Sequence, residues 1–180
     1  QALAAETYGS DACFWAVNGT SQAIHAMLMT ALRPGEKVLL PRNAHRSVAG
    51  GLILGGIEAT FMQPDYCEAF GINFQVQPQA VEAALEKDAS IKAVLLTSPN
   101  YYGVAADVEA IAEICHERNV VLLVDEAHGP HLGFSDLLPK SALQCGADAC
   151  AQSTHKIVGA MTQCSMLHVQ GQRLDVTRAA

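Results

Sequence analysis

Lysine and arginine cluster nowhere along this chain, and no apolar run approaches the roughly 18 residues of a membrane span. The first absence, with a formal net charge of −7, excludes a nucleic-acid-binding surface. The second excludes a spanning helix, so neither nucleic acid nor membrane is expected as a partner. Gln1–Thr7 has neither a basic stretch nor an apolar one and is not a secretory signal. The six cysteines (13, 67, 115, 145, 150 and 164) include no CxxC pair and no spacing of a disulfide-stapled small domain. Lying mostly in apolar stretches, they read as reduced thiols packed as small hydrophobes, and the cytoplasm is the simplest location. Only 16% of residues are charged while 50% are hydrophobic, which excludes disorder. No internal repeat or low-complexity linker breaks the 180 residues, a length suited to one domain. No methionine opens the chain, Gln1–Tyr8 reads as the last turns of a helix stopped by Gly9, and Val176–Ala180 carries no closing signal. A fragment lacking its N-terminal and C-terminal parts is therefore expected.

What is present is an alternation of apolar runs and helical patterns. Strands are expected at Cys13–Val17, Val38–Leu40, Ala59–Met62, Ala93–Thr97, Val120–Val124, Ala147–Gln152 and Met166–Val169. Helices are expected at Ser21–Leu32, Ser47–Leu54, Pro78–Lys87 and Asp107–Arg118, with Arg33-Pro34-Gly35 breaking the first and Asp107 capping the last. Continuous apolar strands separated by helices predict an α/β fold: three layers, α/β/α, around a mostly parallel sheet of about seven strands. Ligands of such sheets bind outside the carboxyl ends of the strands. Polar clusters stand at five of those ends: Asn18–Ser21, His45, Ser98–Tyr102, Asp125–His128 and Ser153–Lys156.

Each cluster has a chemical reading and a plainer one. Asn18-Gly19-Thr20-Ser21 joins strand to helix, where free N–H groups, hydroxyls and the helix dipole suit a phosphate; it also reads as an ordinary N-cap. A dinucleotide site would need GxGxxG, and one glycine is present. Asp125 ends the most apolar strand and can hold a cationic partner, such as a protonated ring nitrogen, at low dielectric, or can merely cap the next segment. With His128 and His131 it forms DxxHxxH, but no further ligand-rich motif supports a metal, and none is expected. Lys156, after an apolar strand and before Ile157-Val158-Gly159-Ala160, reads as a desolvated amine nucleophile or as a lysine snorkelling from a loop. His45 is a structural histidine or a site residue. A phosphate cradle, an acid for a ring nitrogen and an amine for an aldehyde at one sheet edge match the three groups of pyridoxal 5'-phosphate.

With those residues in place, the chain resembles the fold-type-I pyridoxal-phosphate enzymes, and within them the Orn/Lys/Arg decarboxylase family. The similarity runs through Asn18-Gly19-Thr20-Ser21, Arg42-Asn43-x-His45, Ser98-Pro99-Asn100-Tyr101-Tyr102-Gly103, Asp125-Glu126-Ala127-His128-Gly129, Ser153-Thr154-His155-Lys156 and Thr162-Gln163-x-Ser165. The resemblance implies that residues 1–180 are a fragment of the cofactor-binding major domain. It implies a Schiff base on Lys156, phosphate held by Thr20, Ser21, Ser153 and His155 beside Gly19, and His45 stacked on the ring. It places Asp125 at the ring nitrogen and His128 near the ring hydroxyl. The implied activity is decarboxylation of arginine, lysine or ornithine to the amine and CO2, with a homodimer or higher oligomer as the working unit. Another fold-type-I reaction, such as transamination, and a catalytically silent fragment are the alternatives. Asp65 and Glu68, which could meet a distal cation, read as solvated loop charges.

Overall fold

The computed structural model describes residues 1–179. Its nine strands are β1 (Ala12–Ala16), β2 (Lys37–Pro41), β3 (Glu58–Met62), β4 (Tyr66–Cys67), β5 (Ile72–Asn73), β6 (Ile91–Thr97), β7 (Val121–Asp125), β8 (Ala149–Gln152) and β9 (Ser165–Val169). The α-helices are α1 (Ala2–Tyr8), α2 (Gly19–Ala31), α3 (Arg46–Gly55), α4 (Pro78–Lys87), α5 (Val108–Glu117) and the single turn α6 (Thr154–Ile157). Seven strands form one sheet in the order β1-β9-β8-β7-β6-β2-β3, and β4 pairs with β5 in a separate hairpin. Only β9 runs against the others, between β1 and β8.

Alternation along the central strands explains the layers. Val121 and Leu123 of β7 join Ala93, Leu95, Ala149 and Ala151 in a core beneath α2 and α3. Leu122 and Val124 join Val94, Leu96 and Cys150 in a second core beneath α4 and α5. All of β7 is buried, as a strand covered on both faces must be. Each large side chain removed from water here contributes about 1.5–3 kcal/mol. The expected three-layer α/β/α fold with a mostly parallel seven-stranded sheet is what the chain adopts.

The helices follow their local chemistry. Val108, Ile111, Ala112 and Cys115 give α5 one buried stripe, and Asp107 caps it by accepting the Ala110 N–H at 3.2 Å. Pro78 opens α4, which buries Val81 and Leu85 one turn apart. Gly9 ends α1 at φ 74°, a left-handed turn where a Cβ would be strained. All six cysteines are free, but only Cys13, Cys115 and Cys150 are buried; the other three are half-buried, so packing in apolar stretches holds for half the set. No helix of the described residues is long and apolar enough to cross a membrane. The expectation at Val176–Ala180 reaches one residue outside the described range; within it, Asp175 caps a short turn over Val176–Arg178.

Candidate active site

The carboxyl ends of β2, β6, β7 and β8, the β1–α2 turn and the β4–β5 hairpin enclose one open cleft of about 940 Å³. All nine residues singled out from the sequence line it: Gly19, Thr20, Ser21, His45, Asp125, His128, Ser153, His155 and Lys156. Glu68 and Asp65 do not, and both side chains are exposed, as solvated loop charges should be. The DxxHxxH residues are not gathered into a metal-ligand group among the described residues.

The amino end of α2 faces this space uncapped. Asn18 occupies the cap position but makes no side-chain cap bond, so the ordinary N-cap reading of this turn does not hold. Gly19, at φ 75°, turns the chain into the helix and donates its N–H to the Gln163 carbonyl at 2.9 Å. That leaves the following amides, where the helix dipole concentrates positive charge, for an anion. Thr20 and Ser153 are already partnered: their hydroxyls hydrogen-bond to each other, and Thr20 Oγ1 lies 2.9 Å from Ser165 Oγ. Ser165 donates to the Gln152 carbonyl at 2.6 Å, so Thr20 must donate to Ser165 and Ser153 to Thr20. Ser153 is the open end of this chain of hydroxyls. Ser21 is exposed at the rim, and His155 Nδ1 lies 2.8 Å from the Cys164 carbonyl.

Lys156 corrects one expectation. Its side chain is exposed rather than desolvated, because α6 is a single turn on the cleft rim. Ile157 and Val158, which suggested an apolar surround, are themselves 45% and 43% exposed. The ammonium lies 3.2 Å from His128 Nε2. With Lys156 donating, neutral His128 carries its proton on Nδ1. Burial and then the charge of Lys156 push the His128 pKa down, which keeps this acceptor neutral, and the Tyr101 ring stands edge-on to it at 6.0 Å. His45 serves two purposes: Nδ1 accepts the Ser47 N–H at 3.2 Å, capping α3, while the ring lines the cleft. Its pKa too is pushed down by burial and by Lys156.

Asp125 forms the deepest part of the acid–amine pair. It is 2% exposed, and among the described residues the one hydrogen bond of its carboxylate is from the Ala127 N–H to Oδ1 at 3.2 Å. Burial raises its pKa to about 6, against the opposing pull of that N–H and of Lys156. The bland reading, an Asp that caps the next segment, accounts for the Ala127 bond but not for a carboxylate buried at the base of a cleft. Thr97 pairs in register with it on β6 and keeps a buried hydroxyl without a partner.

Several cleft residues escaped the sequence reading. Tyr66, Ile72 and Asn73 come from the β4–β5 hairpin, whose two-residue strands are too short for any alternation to show. Gln75 donates to the carbonyls of Thr97 and Val104 at 3.1 and 2.6 Å and ties this wall to the sheet. Behind the cleft lining, Ser165 was visible only as part of a motif, and Glu126 only as the neighbour of Asp125.

Comparison with known proteins agrees with this geometry. Residues 1–180 match the family model described as "Orn/Lys/Arg decarboxylase, major domain". The arginine decarboxylase of Halalkalibacterium halodurans is 44% identical over 170 residues, covering 94% of this chain and 35% of that protein. The arginine decarboxylase of Bacillus cereus is 44% identical over 176 residues, covering 98% of this chain and 38% of that protein. The structure of lysine decarboxylase A from Pseudomonas aeruginosa superposes with a TM-score of 0.83 at 25% identity, over 99% of this chain and 27% of that one. The chain thus spans little more than a third of the length of these two arginine decarboxylases. Sheet order, cleft residues and the match over residues 1–180 converge: this chain belongs to the Orn/Lys/Arg decarboxylase family.

Proposed function

We propose that this chain is the cofactor-binding part of a pyridoxal-phosphate-dependent decarboxylase acting on a basic amino acid. The observation that carries the reading is the convergence, in one cleft, of an uncapped helix amino end, a buried acid with a single backbone partner and a lysine. Phosphate, pyridinium nitrogen and aldehyde require those three groups, so the residues present fit the cofactor. The chemistry it supplies when bound is an electron sink for the pair released as the α-carboxyl group leaves as CO2.

The protein's part follows from position. The amides that begin α2, with Ser21 and His155, hold the phosphate; Ser153, whose proton goes to Thr20, has to turn its hydroxyl to join them. Lys156 supplies the amine that anchors the aldehyde carbon. Asp125, at the cleft base, holds the ring nitrogen protonated, and a cation there reverses the burial that raises its pKa. His45 offers a neutral ring for stacking. Lys156, hydrogen-bonded to the neutral His128 across 3.2 Å, carries the proton that can return to the substrate α-carbon. Transamination would use the same cofactor residues; family membership favours decarboxylation. The same reading carries a homodimer with the site at its boundary, since Tyr66, Tyr101 and Tyr102 line the cleft yet are 62%, 82% and 58% exposed.

The test is CO2 release from arginine, lysine and ornithine by the full-length protein. Release from at least one, abolished in Lys156→Ala, is expected. A full-length protein that takes up the cofactor and transaminates, but releases no CO2 from any of the three, contradicts the reading.

A further inference from the structure

Beside Asp125 stands a second buried acid to which the proposed chemistry gives no role. Glu126 is 1% exposed and does not line the cleft. It lies on the opposite side of the sheet edge from Asp125, near Cys150 of the second core. Its carboxylate joins separate pieces of chain. It accepts the Ala142 N–H at 2.7 Å and the Gln152 side-chain amide at 2.7 Å, while its own N–H donates to the Ala151 carbonyl at 2.9 Å. These pieces are the end of β7, which carries Asp125 and leads into His128; the end of β8, which leads into Ser153 and Lys156; and the far end of the 127–142 connection. Packing is equally close, for a Cβ added at Gly129 would stand 2.6 Å from Glu126 Cγ.

No cation pairs with this acid among the described residues. The titratable groups around it are the thiols of Cys150 and Cys145 and the phenol of Tyr8. Burial accordingly raises its pKa to about 7. An apolar side chain would avoid that penalty but would leave the Ala142 N–H and the Gln152 amide unpaired.

We infer that Glu126 is a positioning residue: it clamps the ends of β7 and β8 and the 127–142 connection, and so fixes Asp125 and His128 relative to Ser153 and Lys156. The active-site half of this inference rests on the cofactor reading above. Gln152 Oε1 is buried without a partner, so its amide turned over would offer an acceptor to an uncharged group at position 126. Glu126→Gln therefore preserves the clamp, accepting from Ala142 and donating to Gln152, whereas Glu126→Leu breaks both bonds.

Two readouts on the full-length protein test it: hydrogen exchange of segment 127–142 without cofactor, and pyridoxal phosphate titration followed by absorbance. Glu126→Leu is expected to exchange faster in that segment and to bind the cofactor about tenfold or more weaker with its far-UV circular dichroism retained, and Glu126→Gln to restore both. If Glu126→Leu does not fold, Gln152→Met removes one arm of the clamp and is scored in the same way. A leucine or methionine variant with wild-type exchange and affinity overturns the inference, as does a glutamine variant no better than leucine. A wild-type protein that takes no cofactor on Lys156 overturns the functional reading instead, and the exchange arm then decides the clamp alone.

Discussion

Asp125 must stay charged to hold a protonated ring nitrogen, yet its burial favours the neutral acid. On the proposed function a ring-nitrogen cation resolves that conflict, so losing Asp125 should injure chemistry more than binding. Asp125→Ala in the full-length protein is expected to lower kcat by roughly 100-fold or more, while cofactor affinity falls less than about tenfold. Steady-state kinetics beside a cofactor titration check this, and equal losses in both would argue against the role. Glu126 gives a pH signature. Its folded pKa of about 7 lies above the ordinary carboxyl value, so the stability it contributes is present at low pH and lost as pH rises through 7. The cofactor-free Glu126→Gln variant should therefore gain on the wild type between about pH 4.5 and 7, by on the order of 3 kcal/mol, in denaturant midpoints. The nine cleft residues singled out from the sequence were legible because each follows an apolar strand. The exposure of Lys156 was not: apolar neighbours in sequence say nothing of which way a one-turn helix on a rim presents them.

At the scale of elements, the long periodic segments announced themselves and the short ones did not. Pro78–Lys87 forms the expected helix to the residue, with a proline start and one apolar stripe. The β4–β5 hairpin gave no signal, since its pairing depends on contacts from elsewhere. Chief among these is Asn100, whose Oδ1 accepts the N–H groups of Tyr102 and Val104 at 3.0 Å each. Its amide donates to the Asn73 and Phe74 carbonyls at 3.2 and 3.4 Å. One side chain thus ties the loop that bears Tyr101 to the hairpin that walls the cleft. Asn100→Ala is expected to lower stability by about 1–3 kcal/mol in thermal or denaturant melts and to speed proteolysis between residues 64 and 76. An unchanged melt would mean that the hairpin is held by other contacts.

For the whole molecule, the sheet order makes the site. Class and layering could be read from apolar runs and helical spacing, but not the place of β9, which resembles any other buried strand in sequence. Running antiparallel between β1 and β8, it brings its amino end to the edge where its neighbours end. Ser165 can then bond to Thr20, and Thr20 to Ser153, so three distant parts of the chain meet in one row of hydroxyls. The most direct test of the account is to add pyridoxal phosphate, reduce with borohydride and map the modified peptide of the full-length protein. An absorbance band that reduction removes, with the label on Lys156, is the predicted result. A band fixed on another lysine, or none from a folded protein, would contradict it.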